Sequence, residues 1–262
     1  MKKLILLVLF VLPMSVYSLE RSDSTSPNIK IVKSPVNRVA VLELYTSEGC
    51  SSCPPADRFL SDLKKTGISS KQIIPMAFHV TYWDYIGWQD RYAKKQYDQR
   101  QRDTARKQRS NSVYTPQFLL SGDDYRRYSS FSKDVNKIVM EKSLVDIELS
   151  LQDLTAKADE SRLLLNLKSS SSEKNLGFYF AVVENNLSSN VEAGENNGEQ
   201  LHHDFVVRKL YGPFHRGSKD KHDEIEQTIA LDSEWAKSNL SFVAFAENLQ
   251  TGEVLQAVSL QY

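Results

Sequence analysis

Two spacings of apolar residues divide the chain. Between Val39 and Lys142, short apolar runs are interleaved with stretches of helical period; from Val145 on, apolar and polar positions mostly alternate one by one. Val39–Tyr45 reads as a buried strand and Thr46–Gly49 as a tight turn. Phe59, Leu60 and Leu63 then recur at helical spacing behind Pro54-Pro55, which suit a first turn because it needs no amide donor there. Gln72–Val80 predicts a second buried strand, parallel to the first and joined to it by that helix. Asp90–Arg109 is helical and polar, Phe118–Leu120 is a short strand, and Ser130–Lys142 is an amphipathic helix.

After Leu144 the period changes to two. Val145, Ile147, Leu149 and Leu151 alternate with Asp146, Glu148, Ser150 and Gln152, the mark of a half-buried strand. Further strand-like runs stand at Leu163–Leu167, Phe178–Val183, Phe205–Leu210, Glu224–Ala230, Leu240–Ala246 and Val254–Leu260. Polar stretches such as Ser169–Ser172 and Asn185–Gly198 separate some of them, which predicts a β-sandwich.

Chemistry concentrates at Cys50-Ser-Ser-Cys53, which holds the only two cysteines of the chain. A strand feeding a Cys-x-x-Cys at a helix start favours redox work: unpaired amides and the helix dipole support a thiolate on the first sulfur, and the second sits one turn away to close a disulfide. A structural disulfide and half of a zinc site are the competing readings. Closing so short a loop removes only about 2 kcal/mol of unfolded-chain entropy, against about 4.7 for a long loop. Zinc would need two more ligands, and the sequence has neither a second Cys-x-x-Cys nor a His-x-x-x-His. The aromatic stretch Thr81–Trp88 follows the strand at Gln72–Val80, at the end of an α/β sheet where ligands gather. Tyr82, Trp83, Tyr85 and Trp88 either cover a redox site and grip a peptide, or cap a core. His79 reads as a strand histidine with a proton shuttle as the alternative. His202 and His203 are adjacent, so a strand would point them to opposite faces, away from a common metal.

The segments LELYTSEGCSSCPPAD (42–57), FHVTYWDYIGWQDRYA (78–93) and VYTPQ (113–117) carry a wider resemblance. Together they are similar to the thioredoxin superfamily, and within it to the secreted bacterial family catalogued as domain of unknown function 1223. That resemblance implies Cys50 as attacking thiolate and Cys53 as resolving thiol. It likens Thr115-Pro116 to a cis-proline loop that faces substrate, and it suggests Glu43 as a buried carboxylate serving the resolving thiol. The bland alternative for Glu43 is an ion pair with Arg58 or Lys64. The family usually has Asp where this chain has Thr81.

Composition narrows the class. The 40% hydrophobic and 25% charged content is that of a globular protein, and 33 basic residues balance 33 acidic ones, which gives no footprint for nucleic acid. The start is a secretory leader: Lys2-Lys3, the apolar run Leu4–Leu12, and Val16-Tyr17-Ser18 as cleavage site. The run is well short of the ~20 residues of a spanning helix. The basic face of Asp90–Arg109 is solvated or steers an acidic partner.

These readings predict a signal peptide at 1–18, a flexible tether at 19–36, an α/β thioredoxin-like domain with a helical insertion at 37–143, and an all-β sandwich at 144–262. The expected function is thiol–disulfide exchange in the oxidising bacterial periplasm or outside the cell. Cys50 and Cys53 would be catalytic; Thr115, Pro116, Trp83 and Trp88 would bind substrate; Glu43 would support. The expected partner is a cysteine-containing envelope protein or a redox partner, with no cofactor, no nucleic acid and no membrane insertion after leader removal. Two other classes stay open: a redox-inert binding module, and a Cu(I)-handling protein, for which soft sulfur ligands are suited.

Overall fold

The computed structural model describes residues 29–65, 69–154, 162–216 and 222–262. The expected leader (1–18) and the first part of the expected tether (19–28) lie outside the described residues. The rest of that tether is structured in part: β1 (Ile29–Lys33) pairs antiparallel with β6 (Val145–Asp153).

The first half follows its local patterns. β2 (Ala40–Thr46) is buried throughout, α1 (Pro54–Asp62) begins at the two prolines, and β3 (Ile73–His79) lies parallel to β2. Thr81–Ile86 forms a 3-10 turn, α2 spans Lys95–Lys107, and β4 (Gln117–Leu120) returns antiparallel beside β2. β5 (Asp123–Tyr125) and α3 (Phe131–Val139) follow. Ala40, Leu42 and Leu44 pack against Leu60 of α1 and against Phe131 and Val135 of α3. The alternate positions Val41 and Tyr45 face Tyr97 of α2, as the period of two requires.

All seven strands expected beyond Leu144 form: β6, β7 (Arg162–Ser171), β8 (Leu176–Glu184), β11 (Val206–His215), β12 (His222–Ala230), β13 (Leu240–Asn248) and β14 (Val254–Gln261). A small hairpin of β9 (Leu187–Asn190) and β10 (Gln200–His203) interrupts the series; its first strand falls in the stretch read as a polar turn and its second just beyond it.

The expected fold class does not hold. Of the described residues, 46% lie in strands and 21% in helices, and neither an α/β thioredoxin-like unit with a helical insertion nor a separate sandwich stands alone. One eight-stranded mixed sheet, in the order β14-β13-β8-β11-β3-β2-β4-β5, crosses position 144. Its joint is the parallel pairing of Val206 with Ala77, with the Ala77 amide donating to the Phe205 carbonyl at 2.7 Å. The second sheet, β1-β6-β7-β12, packs Ile147, Leu149, Leu165 and Leu167 onto Phe178, Phe180 and Phe242. The physical reason lies in strand edges. An alternating pattern shows that one face is buried, but not which strand satisfies the edge amides and carbonyls of β3. β8 is buried at every position, as a strand covered on both faces must be, and β11 joins it to β3.

A buried charge cluster ties the halves together. Arg100 of α2 gives a two-pronged contact to Glu43 of β2 (2.6 and 3.0 Å) and another to Glu247 of β13 (3.0 Å). Lys107 reaches the other Glu247 oxygen at 2.5 Å, and the Tyr45 hydroxyl donates to Glu43 at 2.9 Å. The guanidinium also lies over the Tyr179 and Phe245 rings. Removing one member of such a cluster strands its partners without water, at about 3–5 kcal/mol. Arg100→Ala is therefore expected to lower the unfolding free energy by that amount, read as a drop in urea midpoint. Arg100→Lys should recover only part of it, because an ammonium cannot make the forked contact.

Candidate functional site

The Cys-x-x-Cys turn sits at the N-terminus of α1, beyond the end of β2. Cys50 and Cys53 form a disulfide with Cα atoms 5.4 Å apart, and both residues are 0% exposed. The Cys50 amide donates to the Ser47 carbonyl, and the Cys53 amide to the Cys50 carbonyl. Pro54 and Pro55 have no amides to leave unpaired, and the Ala56 and Asp57 amides close the first turn on the Cys53 carbonyl. The Ser52 hydroxyl lies 3.4 Å from the Cys50 sulfur.

The cover over this turn comes from two places. Residues 191–199, between β9 and β10, lay Asn196 across it: the amide nitrogen donates to the Glu48 carbonyl (2.7 Å) and the Cys50 carbonyl (3.1 Å). The Glu195 carboxylate accepts from the Ser51 amide at 3.0 Å, which lowers its pKa. Ile86 of the 3-10 turn is clasped between Gly49 and Gly194. A Cβ on Gly194 would meet its side chain at 3.0 Å, and the positive φ of +76° there further favours glycine.

Thr115 and Pro116 stand close by in the topology. β4 follows them and pairs Gln117 with Tyr45, so the loop lies at the same end of the sheet as the cysteine turn. The Thr115–Pro116 bond is cis. Trp83 connects the two: its Cβ is 3.3 Å from where a Cβ on Gly49 would be, and its indole donates to the Thr115 hydroxyl at 2.7 Å. Tyr85 stacks beside Trp83 and is 81% exposed. Trp88 turns the other way and donates to a Glu48 carboxylate oxygen at 2.8 Å. Thr81 gives its amide and hydroxyl to Asp98 of α2 (2.8 and 2.6 Å), so an acid from a neighbouring helix stands beside the position where the family usually has Asp.

Glu43 is not brought to the cysteines. It lies on the α2 face of β2, opposite α1, and is held by Arg100 rather than by Arg58. The acids on the cysteine side are Glu48 and Asp57, which the sequence reading passed over. Asp57 accepts from the Thr46 hydroxyl at 3.2 Å, and burial lifts its pKa against the pull of His203 and His79. His79 donates from Nδ1 to Asp90 at 2.6 Å. Burial opposes charge on this ring, but the Asp90 carboxylate outweighs it and raises the His79 pKa. Burial likewise works against ionised Asp90, yet His79 and the Glu48 and Tyr92 amides pull its pKa down. On β10, His202 is exposed while His203 points inward, the opposite-face placement that adjacency predicted. The helical offset of four between Cys53 and Asp57 was the available signal; nothing local marked the β9–β10 segment as a cover.

Among the described residues, no set of three or more His, Cys, Asp or Glu side chains is placed to hold a metal ion, and no helix is long and apolar enough to cross a membrane. None of the curated proteins matches the chain. Solved structures share the fold, among them two. One is protein AGR_C_4864 from Agrobacterium tumefaciens, with a TM-score of 0.61 at 21% identity over 86% of this chain and 95% of that one. The other is HBP35 of Porphyromonas gingivalis, with a TM-score of 0.66 at 15% identity over 87% of this chain and 76% of that one. The family described as "Protein of unknown function (DUF1223)" matches residues 41–247, from β2 through the cysteine turn, its cover and the buried histidines to β13, and the chain belongs to that family.

Proposed function

We propose that this protein exchanges disulfides with cysteine-containing proteins of the bacterial envelope, as a thiol–disulfide oxidoreductase acting through Cys50 and Cys53. The observation that carries this reading is the disulfide at the start of α1, linked through Trp83 to the Thr115–Pro116 loop. A bridge between residues three apart adds little stability by chain entropy, so its place at a helix N-terminus suits reactivity better than stapling. A partner thiolate would attack Cys50 with Cys53 leaving as the thiolate. A second thiol of the partner would then attack the partner sulfur of the mixed disulfide and release Cys50, so that the partner gains a disulfide and the Cys50–Cys53 pair is reduced. The leader at 1–18 would deliver the protein to an oxidising compartment. Thr115, Pro116 and Trp83 would line the approach.

One observation favours a second reading. Both cysteines are wholly covered, as they would be in a redox-inert binding module that uses the exposed Tyr85 and its neighbour Trp83. Exchange requires residues 191–199 to lift, so the readings differ in what loosening that segment does. Asn196→Ala removes two hydrogen bonds, each worth about 0.5–1.5 kcal/mol. It is expected to speed reduction of the disulfide by dithiothreitol about tenfold or more. An unchanged rate would favour the inert module.

Trapping tests the function itself. Expressed in its own cell envelope, the Cys53→Ser variant is expected to accumulate mixed disulfides through Cys50, resolved on non-reducing gels and lost on reduction. Cys50→Ser should accumulate far fewer. Absence of adducts in both variants would sink the exchange reading.

A further inference from the structure

The β9–β10 hairpin stands apart from the rest of the fold. Its two strands pair with each other and with neither larger sheet. Val191 and Leu201, apolar residues buried in it, belong to none of the apolar cores of the described residues. Its tip is held by its own bonds: the Val191 amide donates to the Glu199 carbonyl, the Gly198 amide to the Val191 carbonyl, and the Glu199 amide to the Asn196 carbonyl. The hairpin thus carries the hydrogen bonds that keep its shape wherever it sits.

Its two feet meet. The chain enters through Asn186 and leaves through Phe205, both left-handed, at φ of 58° and 59°. Asn tolerates that backbone; for Phe it is an outlier, of the kind that gathers at switch regions. The Asn186 amide donates to the Asp204 carboxylate at 3.0 Å, and the Phe205 amide to the Asn185 side-chain oxygen at 3.1 Å. Asn239 fixes them to the large sheet: its carbonyl accepts from the Asn185 amide (3.1 Å) and its side-chain oxygen from the Asn186 side-chain amide (3.2 Å). Just outside the feet, Glu184 and Val206 are already paired within the eight-stranded sheet. The tip, at the other end, meets the cysteine turn through Asn196, Glu195 and the clasp of Ile86 on Gly194. Underneath, closure is imperfect. His203 of β10 comes within 3.3 Å of Glu48 Oε1 without the alignment of a hydrogen bond, and that oxygen and both ring nitrogens have no hydrogen-bond partner in the protein. Swinging away returns these atoms to water, which lowers the cost of opening.

We propose that the β9–β10 hairpin is an autoinhibitory lid, which swings as one body on Asn186 and Phe205 and bars the Cys50–Cys53 disulfide while Asn196 and Glu195 latch it. The proposal rests on the exchange reading above and adds to it the unit that moves, its hinge and its latch. Opening breaks the two hydrogen bonds of Asn196, the one of Glu195 and the Ile86 clasp, and leaves the eight-stranded sheet untouched. Moving parts of enzymes are drawn from such lightly held elements. A partner thiolate reaches Cys50 only in the open form, so the latch sets how fast exchange begins.

The test is the rate at which dithiothreitol reduces the disulfide of the full chain. Asn186→Val and Asn186→Gly both lose the contact to the Asn239 side chain, but only valine resists the left-handed backbone of the closed hinge. Asn186→Val is expected to be reduced about tenfold faster than Asn186→Gly, although the substitution lies at the opposite end of the hairpin from the latch. A valine variant no faster than the glycine variant would overturn the proposal, because the tip would then move without its feet. Should Asn186→Val not fold, the wild type in urea below its unfolding transition decides. Swinging the lid exposes only the surface between the hairpin and the cysteine turn. The logarithm of the reduction rate is therefore expected to rise with urea along a slope between zero and that of global unfolding. A slope of zero, or the full global slope, would overturn the proposal. Hinge-dependent reduction without trapped Cys50 adducts overturns the exchange function alone, whereas trapped adducts with no difference between the two hinge variants overturn the lid alone.

Discussion

Arg100 is the side chain on which the assembly depends. It rises from a helix that is almost wholly polar in sequence, yet it is buried between Glu43 of β2 and Glu247 of β13. Charge can be taken from water only where opposite charge and hydrogen bonds replace it. Here two carboxylates, three aromatic faces and Lys107 do so, and the four charges balance. The contact fixes α2 over the sheet and so places Asp98, which caps the turn at Thr81, and Gln101, whose amide donates to the Tyr114 carbonyl and to Gln117 beside the Thr115–Pro116 loop. Chain segments more than a hundred residues apart meet at one guanidinium.

The same sheet has two chemistries on its two sides. Above β2 and β3 the Arg100 cluster is balanced and its carboxylates are hydrogen-bonded, which suits a structural role. Below them, beside α1, the Glu48, Asp57, His79, Asp90 and His203 cluster is left partly unpaired. Groups that pack for stability tend to be satisfied, and partly unpaired buried groups point instead toward a functional part of the fold. Burial of the disulfide belongs to the same design. Both sulfur-bearing residues are wholly buried, and the hydrogen bonds of Asn196 and Glu195 tie residues 191–199 to the cysteine turn.

Local pattern determined a good deal on its own. The two prolines after Cys53 mark the helix start, because first-turn positions need no amide; the alternation after Val145 yields strands wherever one face is buried; and His202 and His203 diverge because a strand has period two. The cysteine spacing, three apart at a helix N-terminus, is likewise a local matter and stands in the structure as a disulfide.

What only the tertiary structure decided is which distant residues meet. Strand edges carry no label for their partner, so nothing in the alternation announced that Val206 would pair with Ala77 and merge the two halves into one sheet. Glu43 sits on the face of β2 that meets Arg100, and that face became known only when α2 was placed over it. Asp57, Glu48 and Asp90 are ordinary exposed-looking acids in the sequence. In the fold they are buried beside the disulfide, where β10 brings His203 close to Glu48 and Asp57. The identities of these residues were in the sequence, but their chemistry came from desolvation and proximity, which belong to the folded chain and not to any segment of it.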